Sequence, residues 1–337
     1  MKKAVVFGAT GQLGCYSTLA LKEHGYDTIA VGRRESDGGF FATKGIEYIG
    51  GVTLEDEDSF SHLPSVDVDV DVVVNMAGTM PAHADMSMMP YVQSIVVGTV
   101  NVCEWMKKVN CKRIVFNTTP SDVVDYWGTT EPIDDDAVRS FPKNGNDHAV
   151  YAICKRAATD ILEHMRIAEE FEPCVFRHFM VYGWHPDAYY FLNGERKMLP
   201  WRYMIRRCIA GQDIEVYGDS SRKKELLYIK DFANAVVRAA DTHVCGIFNL
   251  PGYKPYSLDE MVDGIMKAFA SPNAKKISRP DMPDTPQILL SHNKSKKVLG
   301  WKPVWTWEAA CEDMKKECME NPVELMWGAI DSSDRIR

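Results

Sequence analysis

Near the start of the chain stands the stretch Phe7-Gly8-Ala9-Thr10-Gly11-Gln12-Leu13-Gly14, in which glycine recurs at every third residue. The run 4–7 before it has the length and apolar content of a buried strand, and helical periodicity begins at Leu13. Between a strand and a helix, such glycines permit a tight turn, close approach of a pyrophosphate, and close packing of helix on strand. A turn that needs glycine only for positive φ is the alternative, and the setting favours phosphate binding.

Beyond this turn, short apolar runs alternate with segments of helical periodicity through the first half of the chain. This alternation is typical of βαβ units and predicts an α/β fold, a doubly wound parallel sheet with helices on both faces. We predict helices over 13–24, 88–109 and 149–170. We predict six strands, over 4–7, 28–31, 47–49, 72–75, 113–117 and 174–178.

The second half loses this rhythm, and Pro, Trp and Tyr become frequent from Gly183 onward. With 337 residues, 45% of them hydrophobic, the chain is long enough for about two domains. We expect a dinucleotide-binding domain over 1–178 and a smaller, mixed α/β substrate-binding domain over 179–337. Segments around 214–250 are expected to return to the sheet.

Composition excludes several classes of function. Lys and Arg number 39 against 47 Asp and Glu, so the formal net charge is −8 and nucleic acid is not an expected partner. The nine cysteines include no Cys-x-x-Cys pair and the histidines show no ligand spacing, which favours a reducing cytoplasm and no metal. No run approaches the roughly 20 apolar residues of a membrane span, so we expect no membrane association.

The end of the predicted second strand indicates the cofactor. Sites for NAD usually place an acid here, whereas this chain has Arg33 and Arg34 after Gly32. A guanidinium can pair bidentately with a ribose 2′-phosphate. Two solvated loop arginines are the alternative; we predict NADP, with NAD as the second choice.

Tyr151 and Lys155 are the candidate catalytic pair. Their spacing of four residues places a phenol and an ammonium on one face of a helix. A cation that stabilises the phenolate makes tyrosine a useful acid/base when an alcohol and a carbonyl interconvert. The spacing by itself is weak, because chance predicts roughly one such pair in a chain of this composition. Thr118 and Thr119 follow the fifth strand, where a hydroxyl could share the substrate proton or merely cap a turn.

Together these motifs resemble the extended short-chain dehydrogenase/reductase family, which contains nucleotide-sugar epimerases, dehydratases and 4-keto reductases. The resemblance covers nearly the whole chain and implies a Rossmann sheet. Its order and spacing are specific, although each motif is weak by itself. The matching segments are Gly8–Gly14, 75–78, 118–119, Tyr151 with Lys155, 177–183, 214–219, 227–231, 248–250 and 297–303.

The resemblance implies roles for individual residues. Tyr151 would be the acid/base, Lys155 would lower its pKa and hold the nicotinamide ribose, and Thr119 would orient the reacting oxygen. The expected dinucleotide contacts are Gly8, Thr10, Gly11, Gln12, Leu13, Gly14, Arg33, Arg34, Asn75, Ala77, Gly78, Tyr151, Lys155 and His178. The expected contacts of a nucleotide-sugar substrate are Thr118, Asn193, Val216, Tyr217, Arg222 and Lys224. It also implies a homodimer through the helices near 88–109 and 149–170.

Several positions depart from the family pattern. The sugar dehydratases carry an Asp-Glu pair after the catalytic Thr, where this chain has Pro120-Ser121, so dehydration is disfavoured. The other departures are Ser94 and Ile95 for an Asn, Gly51-Val52 for an Asp that touches adenine, Lys224 for an Arg, and His178 for a Pro.

Three functional hypotheses remain. The first is an NAD(P)-dependent epimerase that acts on a nucleotide-activated sugar through a transient keto intermediate. The second is an NADPH-dependent reductase of 4-keto-sugar nucleotides, which the two arginines favour. The third is a non-catalytic NADP-binding sensor, which the Tyr151 and Lys155 pair disfavours.

Overall fold

The computed structural model describes the chain except for residues 66–67, 82–86, 144–146, 187, 193–194, 330, 332–333 and 335–337. The strands in chain order are β1 (Lys3–Phe7), β2 (Asp27–Val31), β3 (Glu47–Ile49), β4 (Val72–Asn75), β5 (Arg113–Asn117), β6 (Glu172–Arg177), β7 (Val181–Tyr182), β8 (Tyr189–Leu192), β9 (Glu195–Met198), β10 (Ile214–Tyr217), β11 (Lys223–Glu225), β12 (Leu227–Tyr228), β13 (Gly246–Asn249), β14 (Pro255–Ser257) and β15 (Lys276–Arg279).

The α-helices are α1 (Gln12–Glu23), α2 (Met89–Tyr91), α3 (Gly98–Lys108), α4 (Asp147–Glu169), α5 (Pro200–Ile209), α6 (Ile229–Ala240), α7 (Leu258–Phe269), α8 (Asn293–Lys297), α9 (Trp307–Glu320) and α10 (Glu324–Trp327). A π-helical segment, Val92–Val97, joins α2 to α3. Short 3₁₀ segments cover Ala42–Lys44, Glu57–His62 and Pro120–Tyr126, the last with a kink at Val123.

The main sheet confirms the predicted fold class. In the described part of the chain, seven parallel strands follow the order β13-β6-β5-β4-β1-β2-β3. The strand order reverses between β1 and β4, and ligands of open α/β sheets bind at the carboxyl edge beside such a reversal. The six predicted strands are all present, and β13 pairs beside β6 as a seventh. The division of the chain near residue 178 stays a prediction.

Both faces of the sheet are buried, which explains why its strands are almost wholly apolar. Ala4 and Val6 of β1 face the core that includes α1 and α6, whereas Val5 and Phe7 face the core that includes α3 and α4. The side-chain alternation of a strand thus places successive residues of one apolar run in two different cores.

One helix prediction is partly wrong. The segment 88–109 is not one α-helix, because its second turn adopts the π form between α2 and α3. The Ser94 hydroxyl in this turn lies 2.6 Å from the Pro90 carbonyl oxygen and 2.9 Å from the Thr79 hydroxyl. The Thr79 contact joins this turn to a loop 15 residues earlier in the chain, so helical periodicity could not reveal it.

The second half forms paired short strands and packed helices. The pairs are β7 with β12, β8 with β9, β10 with β15, and β11 with β14. Trp307 fixes α9 on α7 by donating its indole N–H to the Met261 carbonyl at 2.8 Å. Within the described residues, no helix has both the length and the apolar character that a membrane crossing requires.

Candidate active site

The predicted dinucleotide motifs converge at the carboxyl edge of the sheet. Phe7 is level with Asn75 on β4, Asn75 with Phe116 on β5, and Asn117 with Phe176 on β6. The segments that follow these four strands therefore emerge side by side. They carry the glycine turn 8–14, the segment 75–78, Thr118 with Thr119, and His178.

The glycine turn packs too closely for side chains. Gly8 has φ +76°, and a Cβ there would lie 2.8 Å from the Ala77 nitrogen. A Cβ on Gly14 would lie 2.1 Å from the Gly8 carbonyl oxygen, so the first turn of α1 rests on the turn before it. The geometry has the tight turn and the close helix approach that a pyrophosphate-binding turn requires.

The N-terminus of α1 is open to an anion. Gly11 is its N-cap residue and supplies no side-chain cap, and its first turn holds no acid. The Gln12 side chain points elsewhere and donates to the Gly183 carbonyl at 2.7 Å. The first amides of α1 and the positive end of its dipole are thus left for a phosphate.

The end of β2 carries the predicted arginines. Arg33 and Arg34 are both exposed, and Arg33 makes no ion pair with any described residue. Arg34 Nη1 donates to the Met326 carbonyl at 3.0 Å. The Glu35 carboxylate lies beside Gly51, where a Cβ would be 3.1 Å from its nearer oxygen. Glu35 thus places a carboxylate beside Gly51, where the family pattern has an Asp. The sequence did not reveal this relationship.

Tyr151 and Lys155 lie on one face of α4, as their spacing predicts. Both are buried, and Lys155 Nζ is 5.9 Å from the centroid of the Tyr151 ring and 4.4 Å from that of Phe116. Lys155 also donates to Asn117 Oδ1 at 3.2 Å. Asn117 is a site residue that sequence reasoning missed, and its only signal was a polar residue ending a buried apolar strand.

The pKa of Tyr151 departs from the expectation. Burial raises the pKa of the phenol above its ordinary value, whereas we predicted that Lys155 would lower it. Burial also lowers the pKa of Lys155, to about 7. Desolvation dominates for both groups because both are buried and no described carboxylate pairs with either of them. Without a ligand, Tyr151 is therefore neutral and Lys155 is only partly protonated near neutral pH.

The two threonines have different surroundings. The Thr119 hydroxyl oxygen accepts from the Ser121 N–H at 3.3 Å and caps the 3₁₀ helix Pro120–Tyr126, so the turn-cap interpretation is correct. Its O–H remains able to donate to a ligand. Thr118 is 1% exposed, and no described residue hydrogen-bonds its hydroxyl.

His178 supplies a second unsatisfied polar atom. Its Nδ1 lies 3.0 Å from the Phe179 carbonyl oxygen, whereas its buried Nε2 has no partner within the part of the chain that the structure describes. Burial lowers the pKa of the imidazole to about 4, and the charge of Lys155 acts in the same direction. A buried polar atom without a partner costs about 1–3 kcal/mol, so Thr118 and His178 at neighbouring strand ends favour a polar ligand between them. The residues present therefore fit a dinucleotide and an oxygen-bearing substrate.

Comparison with known proteins agrees with this geometry. The model of the NAD dependent epimerase/dehydratase family matches residues 4–250. The chain belongs to this family. It is therefore an extended short-chain dehydrogenase/reductase enzyme, which confirms the resemblance of its motifs.

Several relatives of this epimerase/dehydratase family member match nearly all of its length. The UDP-glucose 4-epimerase of Pisum sativum is 25% identical over 97% of each chain. The structure of UDP-N-acetylglucosamine 4-epimerase from Bacillus cereus superposes with a TM-score of 0.74, at 23% identity and over 98% of each chain. UDP-glucuronic acid 4-epimerase from Bacillus cereus in complex with NAD gives a TM-score of 0.69, at 17% identity, over 94% of this chain and 99% of that one.

The predicted substrate residues of this family member have mixed outcomes. Asn193 lies outside the described residues. The Val216 side chain is 1% exposed and packs within the core, and its role as a substrate contact stays a prediction. Its burial follows from the pairing of β10 with β15, which the sequence did not show. Tyr217 is exposed, and its hydroxyl donates to Glu215 at 3.1 Å.

Arg222 and Lys224 form a cationic pair at β11. Burial and, to a smaller extent, the charge of the neighbouring Arg222 lower the pKa of Lys224 to about 8. Arg222 pairs with the Asp284 carboxylate, whereas Lys224 has no carboxylate at ion-pairing distance in the described part of the chain. Two partly buried cations that repel one another are stabilised by an added anion.

Proposed function

We propose that the protein is an epimerase that inverts a hydroxyl-bearing carbon of a nucleotide-activated sugar through a transient keto intermediate. The observation that carries this proposal is the buried Tyr151 and Lys155 pair beside the unsatisfied Thr118 and His178 atoms, at the strand ends that also hold the glycine turn. The sugar-nucleotide 4-epimerases among its relatives support the substrate class.

When bound, the oxidised dinucleotide supplies a hydride acceptor and a positive charge. Residues of the chain transfer the proton of the reacting sugar hydroxyl. In its phenolate form, Tyr151 takes the proton from the sugar hydroxyl as its carbon is oxidised, and the resulting phenol returns that proton to the same oxygen when the carbon is reduced from the opposite face. Thr119 donates to that oxygen and orients it. Lys155 favours the phenolate whenever its own amine is protonated.

We propose NADP as the cofactor, with NAD as the alternative. Gly32 stands at the position of the usual acid, and Arg33 is exposed without an ion pair among the described residues, which supports recognition of a 2′-phosphate. A structural neighbour, UDP-glucuronic acid 4-epimerase from Bacillus cereus, is in complex with NAD. Calorimetric titration with both dinucleotides decides between them: tighter binding of NAD overturns the choice of NADP.

We propose that Arg222 and Lys224 bind the diphosphate of the substrate. Lys224 has no described carboxylate partner, and burial and the charge of Arg222 lower its pKa. A bound phosphate would therefore stabilise its charged form. Lys224→Met should weaken UDP binding, whereas Lys223→Met, at the exposed neighbouring position, should not.

The direct test incubates the purified protein with UDP-glucose, UDP-N-acetylglucosamine and UDP-glucuronic acid and follows each anomeric signal by proton NMR. Conversion to the 4-epimer of any one of them, without added reductant, supports the proposal. Loss of that conversion in Tyr151→Phe assigns it to this site. No conversion of any nucleotide sugar overturns it.

A second candidate is an NADPH-dependent reductase of 4-keto-sugar nucleotides, which Arg33 and Arg34 favour. An epimerase recycles its hydride and retains the dinucleotide, whereas a reductase releases it. Denaturing the purified protein and chromatographing the released nucleotide separates the two. Stoichiometric dinucleotide supports the epimerase; an empty protein that oxidises NADPH with a keto sugar supports the reductase. Binding without turnover of either kind would indicate a sensor.

We also propose a homodimer built on α3 and α4. Exposed apolar side chains lie on this side of the molecule, at Val97, Val100 and Ile153. A partner subunit packed against these helices would remove them from water. Val100→Asp should shift the sedimentation coefficient to that of a monomer, and Val304→Asp, at a more exposed valine elsewhere, should leave it unchanged.

A further inference from the structure

The short helix α10 contacts the glycine turn from the far end of the sequence. The Trp327 indole N–H donates to the Thr10 carbonyl at 2.8 Å, across 317 residues. The Met326 carbonyl accepts from Arg34 Nη1 at 3.0 Å. The Leu325 carbonyl packs against Gly38, where a Cβ would lie 2.1 Å from its oxygen. Three consecutive residues of α10 thus contact the turn after β1 and the loop after β2.

These contacts meet the two segments that fit a dinucleotide. Thr10 lies within the glycine turn, and its side chain also packs beside the end of β2, where a Cβ on Gly32 would lie 3.2 Å from Thr10 Cγ2. Arg34 is one of the two arginines suited to a 2′-phosphate. The contacts are directional hydrogen bonds, which fix the orientation of a peptide or a guanidinium more narrowly than apolar packing does.

The Trp327 bond restrains a particular peptide group. The Thr10 carbonyl and the Gly11 N–H belong to one planar unit, and that N–H donates to the Gly8 carbonyl at 2.9 Å. Trp327 and Gly8 therefore hydrogen-bond to the two ends of the same peptide group, Trp327 to its carbonyl and Gly8 to its N–H. Glycine-rich backbone is conformationally permissive, so a turn held at both sides loses less entropy when a phosphate binds.

The region around α10 is also anchored to the second half of the chain. The rings of His185 and Trp327 lie 4.2 Å apart, centroid to centroid. Farther along, the Asp334 carboxylate accepts from Arg202 Nη2 at 2.7 Å and from Arg206 Nε at 2.7 Å. Arg202 and Asp334 are almost wholly buried, and hydrogen bonds between charged groups are stronger than those between neutral groups.

We infer that α10 is part of the dinucleotide site: Trp327 is a positioning residue that holds the glycine turn in its binding conformation, and the Met326 carbonyl orients Arg34 toward the ribose. The inference rests on the dinucleotide binding in the proposed function. The sequence of α10 carries no recognisable motif, so only its position in the fold assigns this role.

The test compares Trp327→Phe with Trp301→Phe. The first variant keeps an aromatic ring beside His185 and removes the N–H that holds Thr10. The second removes another indole N–H, which donates to the Asp231 carbonyl at 3.1 Å in the second half of the chain. Calorimetry measures the affinity of each protein, freed of nucleotide on charcoal, for NADP, NAD and UDP. Thermal unfolding without ligand reports any general loss of stability.

We expect Trp327→Phe to weaken the binding of the preferred dinucleotide about fivefold, the cost of one neutral hydrogen bond, and to leave UDP affinity unchanged. Trp301→Phe should retain wild-type dinucleotide affinity even where it lowers the unfolding temperature. Wild-type dinucleotide affinity in Trp327→Phe overturns the inference, as does an equal loss for UDP. If wild-type protein epimerises no sugar nucleotide but its dinucleotide affinity depends on Trp327, the proposed function fails and this inference stands.

Discussion

Lys155 Nζ donates a hydrogen bond of 3.2 Å to Asn117 Oδ1, which ties the buried amine of α4 to the carboxyl end of β5. No described carboxylate lies at ion-pairing distance from this amine, and its partner is a neutral amide. The charge of Lys155 therefore depends on pH and on the ligand beside it. The same amine faces Tyr151, so the acid/base chemistry of the site depends on this one bond and its surroundings.

Tyr151→Phe should abolish epimerisation, with a fall of about 10²–10⁴-fold in kcat, because the general acid/base is removed. Dinucleotide affinity should stay near that of the wild type, since the ring remains in place. Tyr26→Phe is the matched control: Tyr26 is also buried, but its hydroxyl donates to Asp241 at the opposite edge of the sheet. An active Tyr151→Phe enzyme would show that another group moves the proton.

The buried Lys155 amine predicts how stability varies with pH. Its pKa is about 7 in the folded protein and near its ordinary value of 10.5 when unfolded. Between these values the unfolded chain binds more protons, so the contribution of Lys155 to stability rises with pH, by at most about 1.4 kcal/mol per pH unit. Below about pH 7 the cost of burying the ammonium is complete and constant.

The free energy of unfolding of Lys155→Met should therefore exceed that of the wild type by the largest amount below about pH 7. This difference should shrink between pH 7 and 10. Urea unfolding of both proteins at several pH values measures the difference in the free energy of unfolding. A difference that is constant across this range would mean that Lys155 keeps its ordinary pKa in the folded protein.

Arg33→Glu should weaken NADP binding about 10- to 100-fold, the range expected for a charge-assisted hydrogen bond to a phosphate, and weaken NAD binding far less. Arg238→Glu makes the same change of charge at an exposed position on α6 and should affect neither dinucleotide. Titration calorimetry with the two dinucleotides supplies the ratio. Equal weakening of NADP and NAD would place Arg33 outside the 2′-phosphate site.

Arg177→Met should lower the free energy of unfolding by about 3–5 kcal/mol, because it leaves the buried Asp122 carboxylate without its cation. Arg177 donates to both Asp122 oxygens, at 2.8 and 3.1 Å, and to Asn249 Oδ1 on β13 at 3.2 Å. The exposed Arg166, paired with Glu163 on α4, is the control, and Arg166→Met should unfold like the wild type. Equal stability of both variants would show that the Arg177 network is dispensable.

Local pattern in the sequence predicted much of the fold and part of the site. Three glycines between a strand and a helix required the tight turn that is present at Gly8. A spacing of four residues required Tyr151 and Lys155 to share a face of α4. Buried parallel strands appeared as continuous apolar runs, so the first six strands were visible. Each of these features is determined by residues that are close together along the chain.

Tertiary structure decided what depends on residues far apart. It placed Trp327 against Thr10, Asn117 beside Lys155, and the side chain of Val216 in the core. Burial by the surrounding fold also raises the pKa of Tyr151, whereas the spacing suggested that Lys155 would lower it. Spacing reports which side chains share a face, whereas burial and the packing of distant segments decide what surrounds them, and the energy of a charge depends on those surroundings.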